Sequence, residues 1–158
     1  MPQDQAAAAI DNAPDVKHFA ALEAMYLSAP INKPLEPTVG VRRGEATVTM
    51  AVSEQHHHAA AAVHGSVYFK MLDDAAFFAA ASLEAEQMVL TASFTTYLTR
   101  PVTHGTLRAE GRVVNQTRSQ FIVEAIVFDG QDREIGRGNG VFVRGKIALS
   151  QIPGYQLE

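Results

Sequence analysis

The chain has 158 residues, 47% hydrophobic and 19% charged, with a formal net charge of −4 and no cysteine. Its length and apolar share suit one domain with its own core and exclude a wholly disordered chain. The acidic balance argues against a nucleic-acid binder that works by bulk electrostatics, and the missing cysteines exclude disulfide scaffolds, thiolate metal sites and cysteine nucleophiles.

Residues 1 to about 12 are polar and Ala-rich, which predicts a frayed tail. Asp4 stands where a secretory leader is basic, Ala6 to Ala9 is too short for its apolar stretch, and no run reaches the roughly 20 apolar residues of a bilayer span. A cytoplasmic protein without membrane contact is expected. Pro14 and Asp15 open a helix, with Pro in the first turn and an acid at the positive end of the dipole. Val16, Phe19, Leu22 and Tyr26 continue it at helical spacing until Pro30. Asn32 to Gly44, with Pro34, Pro37 and Gly40, reads as a connection.

The period then changes to two. Ala46, Val48, Met50 and Val52 alternate with Glu45, Thr47 and Thr49, the pattern of a half-buried strand. Glu54 to Val63, with three consecutive histidines, reads as a loop. From His64 to Leu83 the pattern is helical and apolar nearly all round, so this helix belongs inside the domain, although it carries Lys70, Asp73 and Asp74. Four β-type segments follow, Met88 to Thr99, Thr106 to Gln116, Gln120 to Phe128 and Glu134 to Arg144, with short links that favour antiparallel pairing. Gly136, Gly138 and Gly140 lie in the last of these; with no helix after them they predict a bent edge strand rather than a phosphate loop. The order predicts an α+β domain, a curved antiparallel sheet of five to six strands wrapped around one central helix. Residues 1–30 are read as tail and extra N-terminal helix, and 31–158 as a single domain.

Chemistry is expected along the central helix. An ionised carboxylate among apolar groups costs several kcal/mol unless it is paired. Asp73 and Asp74 point about 100° apart, which leaves two readings: one faces solvent and the other a cleft, or both sit on an exposed stripe with Lys70. His64-Gly65-Ser66 stands at the helix start, where free N–H groups favour a developing anion and Gly permits close approach. His64 and Asp73 are nine residues apart, half a turn out of phase and about 13.5 Å along the axis, so one helix cannot bring both to one reacting atom. A shared site requires a second copy of the chain. His56, His57 and His58 cannot converge on one ion, and no metal is expected. From Arg100 onward there are 8 basic and 6 acidic residues, against 5 and 11 before it; solvated Arg-rich strand faces account for such an excess more often than an anionic ligand, for which this half is the candidate place.

His64-Gly65-Ser66 with Asp73 nine residues on, the segment Phe94 to Val102 with Arg100-Pro101, then Gly105 and the strand Gly136 to Phe142, resembles the PaaI-like group of hotdog-fold acyl-CoA thioesterases over about residues 40–146. The resemblance implies that Asp73 is the catalytic carboxylate, as general base or nucleophile. It implies that the Gly65 N–H polarises the thioester carbonyl, that His64 is its neighbour at the helix start, and that the Thr91 hydroxyl holds the carboxylate or water. It also implies a site shared across a homodimer, which in this fold often pairs again into a tetramer. Two positions depart from the family pattern. His58 stands where the family usually has Asn, and Ser66 replaces a second Gly beside the substrate.

No cofactor is expected beyond the coenzyme A of the substrate. Phe69, Phe77, Phe78 and Tyr97 are candidates to line an acyl chain, otherwise serving as core, and Arg100, His104 and Arg118 to hold coenzyme A phosphates. A non-catalytic acyl-CoA-sensing hotdog domain is the alternative that the two departures motivate. A hotdog hydratase or dehydratase is a third, which lacks its Asp-x4-His element here.

Overall fold

A face of small side chains on the central helix decides how closely helix and sheet can meet. The computed structural model describes residues 13–158, so the expected tail over residues 1 to about 12 lies outside the described residues. Helix α1 spans Ala13–Ser28 and helix α2 spans Gly65–Ala81. Six strands, β1 (Thr38–Arg42), β2 (Glu45–Ala51), β3 (Gln87–Leu98), β4 (Thr106–Gln116), β5 (Gln120–Phe128) and β6 (Glu134–Ala148), form one antiparallel sheet in the order β1-β2-β4-β5-β6-β3. Leu72, Ala75, Ala76 and Ala79 of α2 are fully buried against a sheet face that includes Leu107, Ala109, Val123 and Val127. Approach is closest at Gly111 on β4, where a Cβ would lie 2.3 Å from the Ala75 carbonyl oxygen. The result is the hotdog architecture expected from the sequence, with α+β layering. No helix of the described residues is long and apolar enough to cross a membrane.

Two strand expectations need correction. Thr38–Arg42 lies inside the stretch read as a connection, yet it forms β1, paired from Thr38↔Thr49 to Arg42↔Glu45. The prolines before it and Gly40 within it mask the β pattern, and an edge strand needs only one ladder of bonds. The glycine-rich strand β6 is not at an edge. It pairs with β5 on one side and β3 on the other and runs on to Ala148. Its glycines admit a neighbour instead: a Cβ at Gly138 would sit 2.4 Å from Phe94 Cε1 and 2.5 Å from the Thr95 carbonyl oxygen.

Helix α1 is fastened over α2 and the C-terminal segment. His18 Nε2–H donates to the Ala81 carbonyl at 2.9 Å, which leaves Nδ1 to accept the Tyr155 hydroxyl at 2.7 Å. The Asn32 side-chain amide donates to the Tyr26 carbonyl at 2.8 Å and turns the chain after the helix. Strand β3 closes the far side of the sheet as a long edge, and Leu90, Tyr97 and Leu98 on it are exposed.

Candidate active site

The start of α2 is capped by its own histidine. The Ser66 N–H donates to His64 Nδ1 at 3.0 Å, and the Ser66 hydroxyl lies 2.7 Å from the same atom. Because an N–H can only donate, Nδ1 accepts, and the neutral ring carries its proton on Nε2. The cap consumes the Ser66 N–H, while the Gly65 N–H has no partner among the described residues. Gly65 keeps that donor approachable: a Cβ there would already lie 3.0 Å from Leu98 Cδ1. His58 stands beside the cap, with ring centroids 6.5 Å from His64. Its Nδ1 accepts the Ala60 N–H at 3.0 Å, so the neutral ring also presents Nε2–H as a donor. His56 has a structural part: it is buried, and its Nδ1 accepts the Ser53 N–H at 3.0 Å in a capping box.

Two turns further on, Asp73 and Asp74 leave α2 toward different neighbours. Thr91 of β3 donates its hydroxyl to Asp73 Oδ1 at 3.0 Å. The β3–β6 register shifts between Thr91 and Ser93, an irregularity that re-aims side chains beside the helix. Asp74 Oδ2 accepts the Lys70 ammonium at 2.6 Å and the Tyr26 hydroxyl of α1 at 2.9 Å. Neither acid is exposed: both are half-buried, Asp74 beneath Tyr26 of α1 and Asp73 against Thr91 of β3. Burial pushes the Asp73 carboxyl above the usual range; the Thr91 hydrogen bond opposes this, Asp74 adds to it and Lys70 opposes it. Burial, then Asp74, push the Tyr26 phenol far above its ordinary value. Tyr26 entered the sequence reading only as a packing residue of α1. The available signal was chemical: a buried tyrosine hydroxyl needs a partner, and the unpaired acids stood on α2.

Two apolar cavities meet at these carboxylates, of about 540 and 550 Å³, and both are lined by Tyr26, Ile31, Lys70, Asp73 and Asp74. The first extends toward the start of α2, past Leu35, Met50, Ser66 and Phe69. The second extends under α1 toward the end of α2, past Met25, Phe77, Phe78, Met88 and Ile152. Of the aromatics singled out in the sequence, Phe69, Phe77 and Phe78 line these cavities. Tyr97 lines neither and is 54% exposed on β3.

The cations singled out for phosphates are not gathered within one chain. Arg100 follows the end of β3 that pairs Leu98 with Gly136, and its carbonyl accepts the Tyr68 hydroxyl. Arg118 lies at the opposite end of the sheet, its carbonyl bonded by Arg144, which pairs with Val89. His104 makes a local bond to Thr103 at 2.9 Å. Among the described residues no group of three or more His, Asp or Glu side chains is placed to hold a metal ion. What the site offers is a carboxylate of raised basicity at the meeting of two apolar cavities, and a free N–H at the helix start. The carboxylate suits proton removal from water, or direct attack, at an electrophilic carbonyl, and the N–H suits receipt of a developing oxyanion.

Residues 60–135 match the thioesterase superfamily. No curated protein matches the chain in sequence. Among solved structures, the PaaI protein of the Escherichia coli phenylacetic acid degradation operon superposes with a TM-score of 0.76 at 22% identity, covering 85% of this chain and 97% of that one. A point mutant of the phenylacetic acid degradation protein PaaI of Thermus thermophilus gives 0.68 at 20% identity over 74% of this chain and all of that one (100%). A Haemophilus influenzae thioesterase gives 0.69 at 16% identity, covering 76% of this chain and 85% of that one.

Proposed function

We propose that this PaaI-like hotdog protein, whose residues 60–135 match the thioesterase superfamily, hydrolyses acyl-CoA thioesters to free acid and coenzyme A. The observation that carries the reading is the Asp73 carboxylate, held by Thr91 at 3.0 Å where two apolar cavities meet. Asp73 takes a proton from water, or attacks the carbonyl itself. The C=O π electrons pass to oxygen, and the Gly65 N–H receives the oxyanion, backed by the positive end of α2. Collapse breaks the C–S bond, and the proton held by Asp73 leaves with the thiolate as free thiol. In the nucleophilic variant Asp73 carries no proton at collapse: the thiolate leaves as the mixed anhydride forms on Asp73, water then cleaves the anhydride to free acid and regenerates the carboxylate, and a proton of that water passes to the thiolate. Neither route requires a metal or a further cofactor.

The acyl chain occupies the apolar cavity that ends at Phe77, with Ser66 at the mouth of the other. His58 offers its Nε2–H where the family usually has the Asn amide. Asp73 and Gly65 work across a homodimer, because about 12 Å of helix axis separates them within one chain. The open edge of β3 with exposed Leu90, Tyr97 and Leu98 supports pairing there, and such dimers can pair again. Across such an interface Tyr97, Arg100 and Arg118 are available to substrate bound by the other subunit.

The test is thiol release from short, medium, long and aromatic acyl-CoAs, with wild type and Asp73→Asn compared. Turnover that collapses in the variant supports the reading. A folded wild-type protein that binds acyl-CoA but releases no thiol overturns it in favour of a sensing domain.

A further inference from the structure

Two adjacent carboxylates share this site and are equipped differently. Asp73 receives one neutral donor, the Thr91 hydroxyl at 3.0 Å. Asp74 receives the Lys70 ammonium at 2.6 Å and the Tyr26 hydroxyl at 2.9 Å, with Lys70 Nζ 5.6 Å from the centre of the Tyr26 ring. Lys70 is the one cationic side chain among the described residues lining either cavity beside Asp73, and its hydrogen bond goes to Asp74. Tyr26 is only 4% exposed and comes from α1, a separate element 48 residues away in sequence. A buried phenol anchored on a carboxylate, with a lysine closing the other side, fixes where that negative charge stands.

We propose that Asp74, pinned by Tyr26 and Lys70, is a positioning residue that keeps a fixed negative charge beside Asp73 and so sets the readiness of Asp73 to take a proton. The inference rests on the reading of Asp73 as the base, and it makes α1 part of the catalytic apparatus. The titratable and charged groups around Asp73 are few. Helix α2 supplies Lys70 and Asp74, and α1 supplies Tyr26. Strand β3, the turn Pro30–Asn32 and the Ile152-Pro153 segment contribute none to the two cavities. A like charge next to an acid favours its protonated form and a cation favours the ionised form, so Asp74 and Lys70 act on Asp73 with opposite signs. The same two signs accompany the upward displacement of the Asp73 carboxyl.

The experiment follows carboxyl carbons by 13C NMR against pH in the full chain, with the Asp73 signal assigned by its loss in Asp73→Asn. Asp74→Asn keeps a carbonyl to accept the Tyr26 hydroxyl, and Lys70→Met keeps the apolar stem, so both variants preserve packing. The Asp73 midpoint is expected to fall by about half a pH unit or more in Asp74→Asn and to rise in Lys70→Met. An unchanged midpoint in both variants, or a shift in the same direction in both, overturns the proposal. The readout needs no turnover. A wild-type protein that releases no thiol therefore refutes the hydrolase reading separately, while the titration still decides the coupling.

Discussion

Thr91 on β3 donates its hydroxyl to the carboxylate of Asp73 on α2 at 3.0 Å, across 18 residues of chain. The bond ties the middle of the central helix to an edge strand, and it holds Asp73 Oδ1 while leaving the other oxygen available. Because the donor is a neutral hydroxyl, it orients the carboxylate without removing the basicity that burial confers.

Asp73→Asn is expected to lower kcat by roughly 10²–10⁴-fold, the usual worth of a positioned acid–base group. The amide is nearly isosteric, so acyl-CoA binding persists. Asp74→Asn, by contrast, costs less than about tenfold near neutral pH, and Thr91→Val falls between the two. Thiol-release kinetics on the three variants check the order, and Asp74→Asn proving the more damaging substitution would overturn the assignment.

The pH profile follows from the direction of the Asp73 shift. A base must be ionised to work, and burial raises this carboxyl above the ordinary aspartate value. The acid limb of kcat/KM is therefore expected at a higher pH than that of an exposed aspartate, with activity falling as pH drops through it. An acid limb at or below the ordinary aspartate value removes Asp73 from the role of free base.

The same shift carries a stability cost. A carboxyl whose folded-state pKa lies above its unfolded value binds its proton more tightly when folded, so stability declines as pH rises from the unfolded pKa through the folded one. Asp73→Asn is expected to raise Tm by about a few degrees at neutral pH, with the gain fading below the ordinary aspartate pKa. Thermal melts of both proteins at neutral and acidic pH measure it.

Gly111→Ala tests the contact between helix and sheet. Its Cβ would lie 2.3 Å from the Ala75 carbonyl oxygen, a backbone atom that cannot turn aside. A loss of about 1–3 kcal/mol or more is expected in chemical denaturation. Gly40→Ala meets nothing within 4 Å and serves as the mild comparison.

Light scattering of the eluting species tests the shared site. A dimer or a multiple of it is expected. Leu98→Asp on the open β3 edge is expected to weaken that association and lower turnover together; a fully active monomer would return both site halves to one chain.

Much of the fold was legible because burial imposes periodicity. Helix α2 betrayed itself by apolar residues on nearly every face, and β4 and β5 by β-branched and aromatic runs between turns, with bounds that the ladders reproduce. Strand β1 escaped because an edge strand with Gly40 at its centre shows no alternation to read. Strand β6 was misplaced because glycines that make room for Phe94 look, in one dimension, like glycines that bend an edge.

For the site, residue types along one helix singled out the acidic pair Asp73 and Asp74 and the helix start at His64-Gly65-Ser66, the family resemblance chose Asp73 and Gly65 among them, and helical geometry supplied the dimer argument by converting sequence separation into distance and angle. Sequence by itself determined which groups are candidates to carry chemistry and which lie too far apart on α2 to meet within one chain. Only the tertiary structure decided their surroundings: α1 beside the acidic stripe, Tyr26 of α1 on Asp74, and Arg100 kept apart from Arg118. These pairings join elements many residues apart, and no local pattern encodes them. They follow from how α1 and the sheet pack against α2, and that packing sets the desolvation and neighbouring charge on which the reactivity of a carboxylate depends.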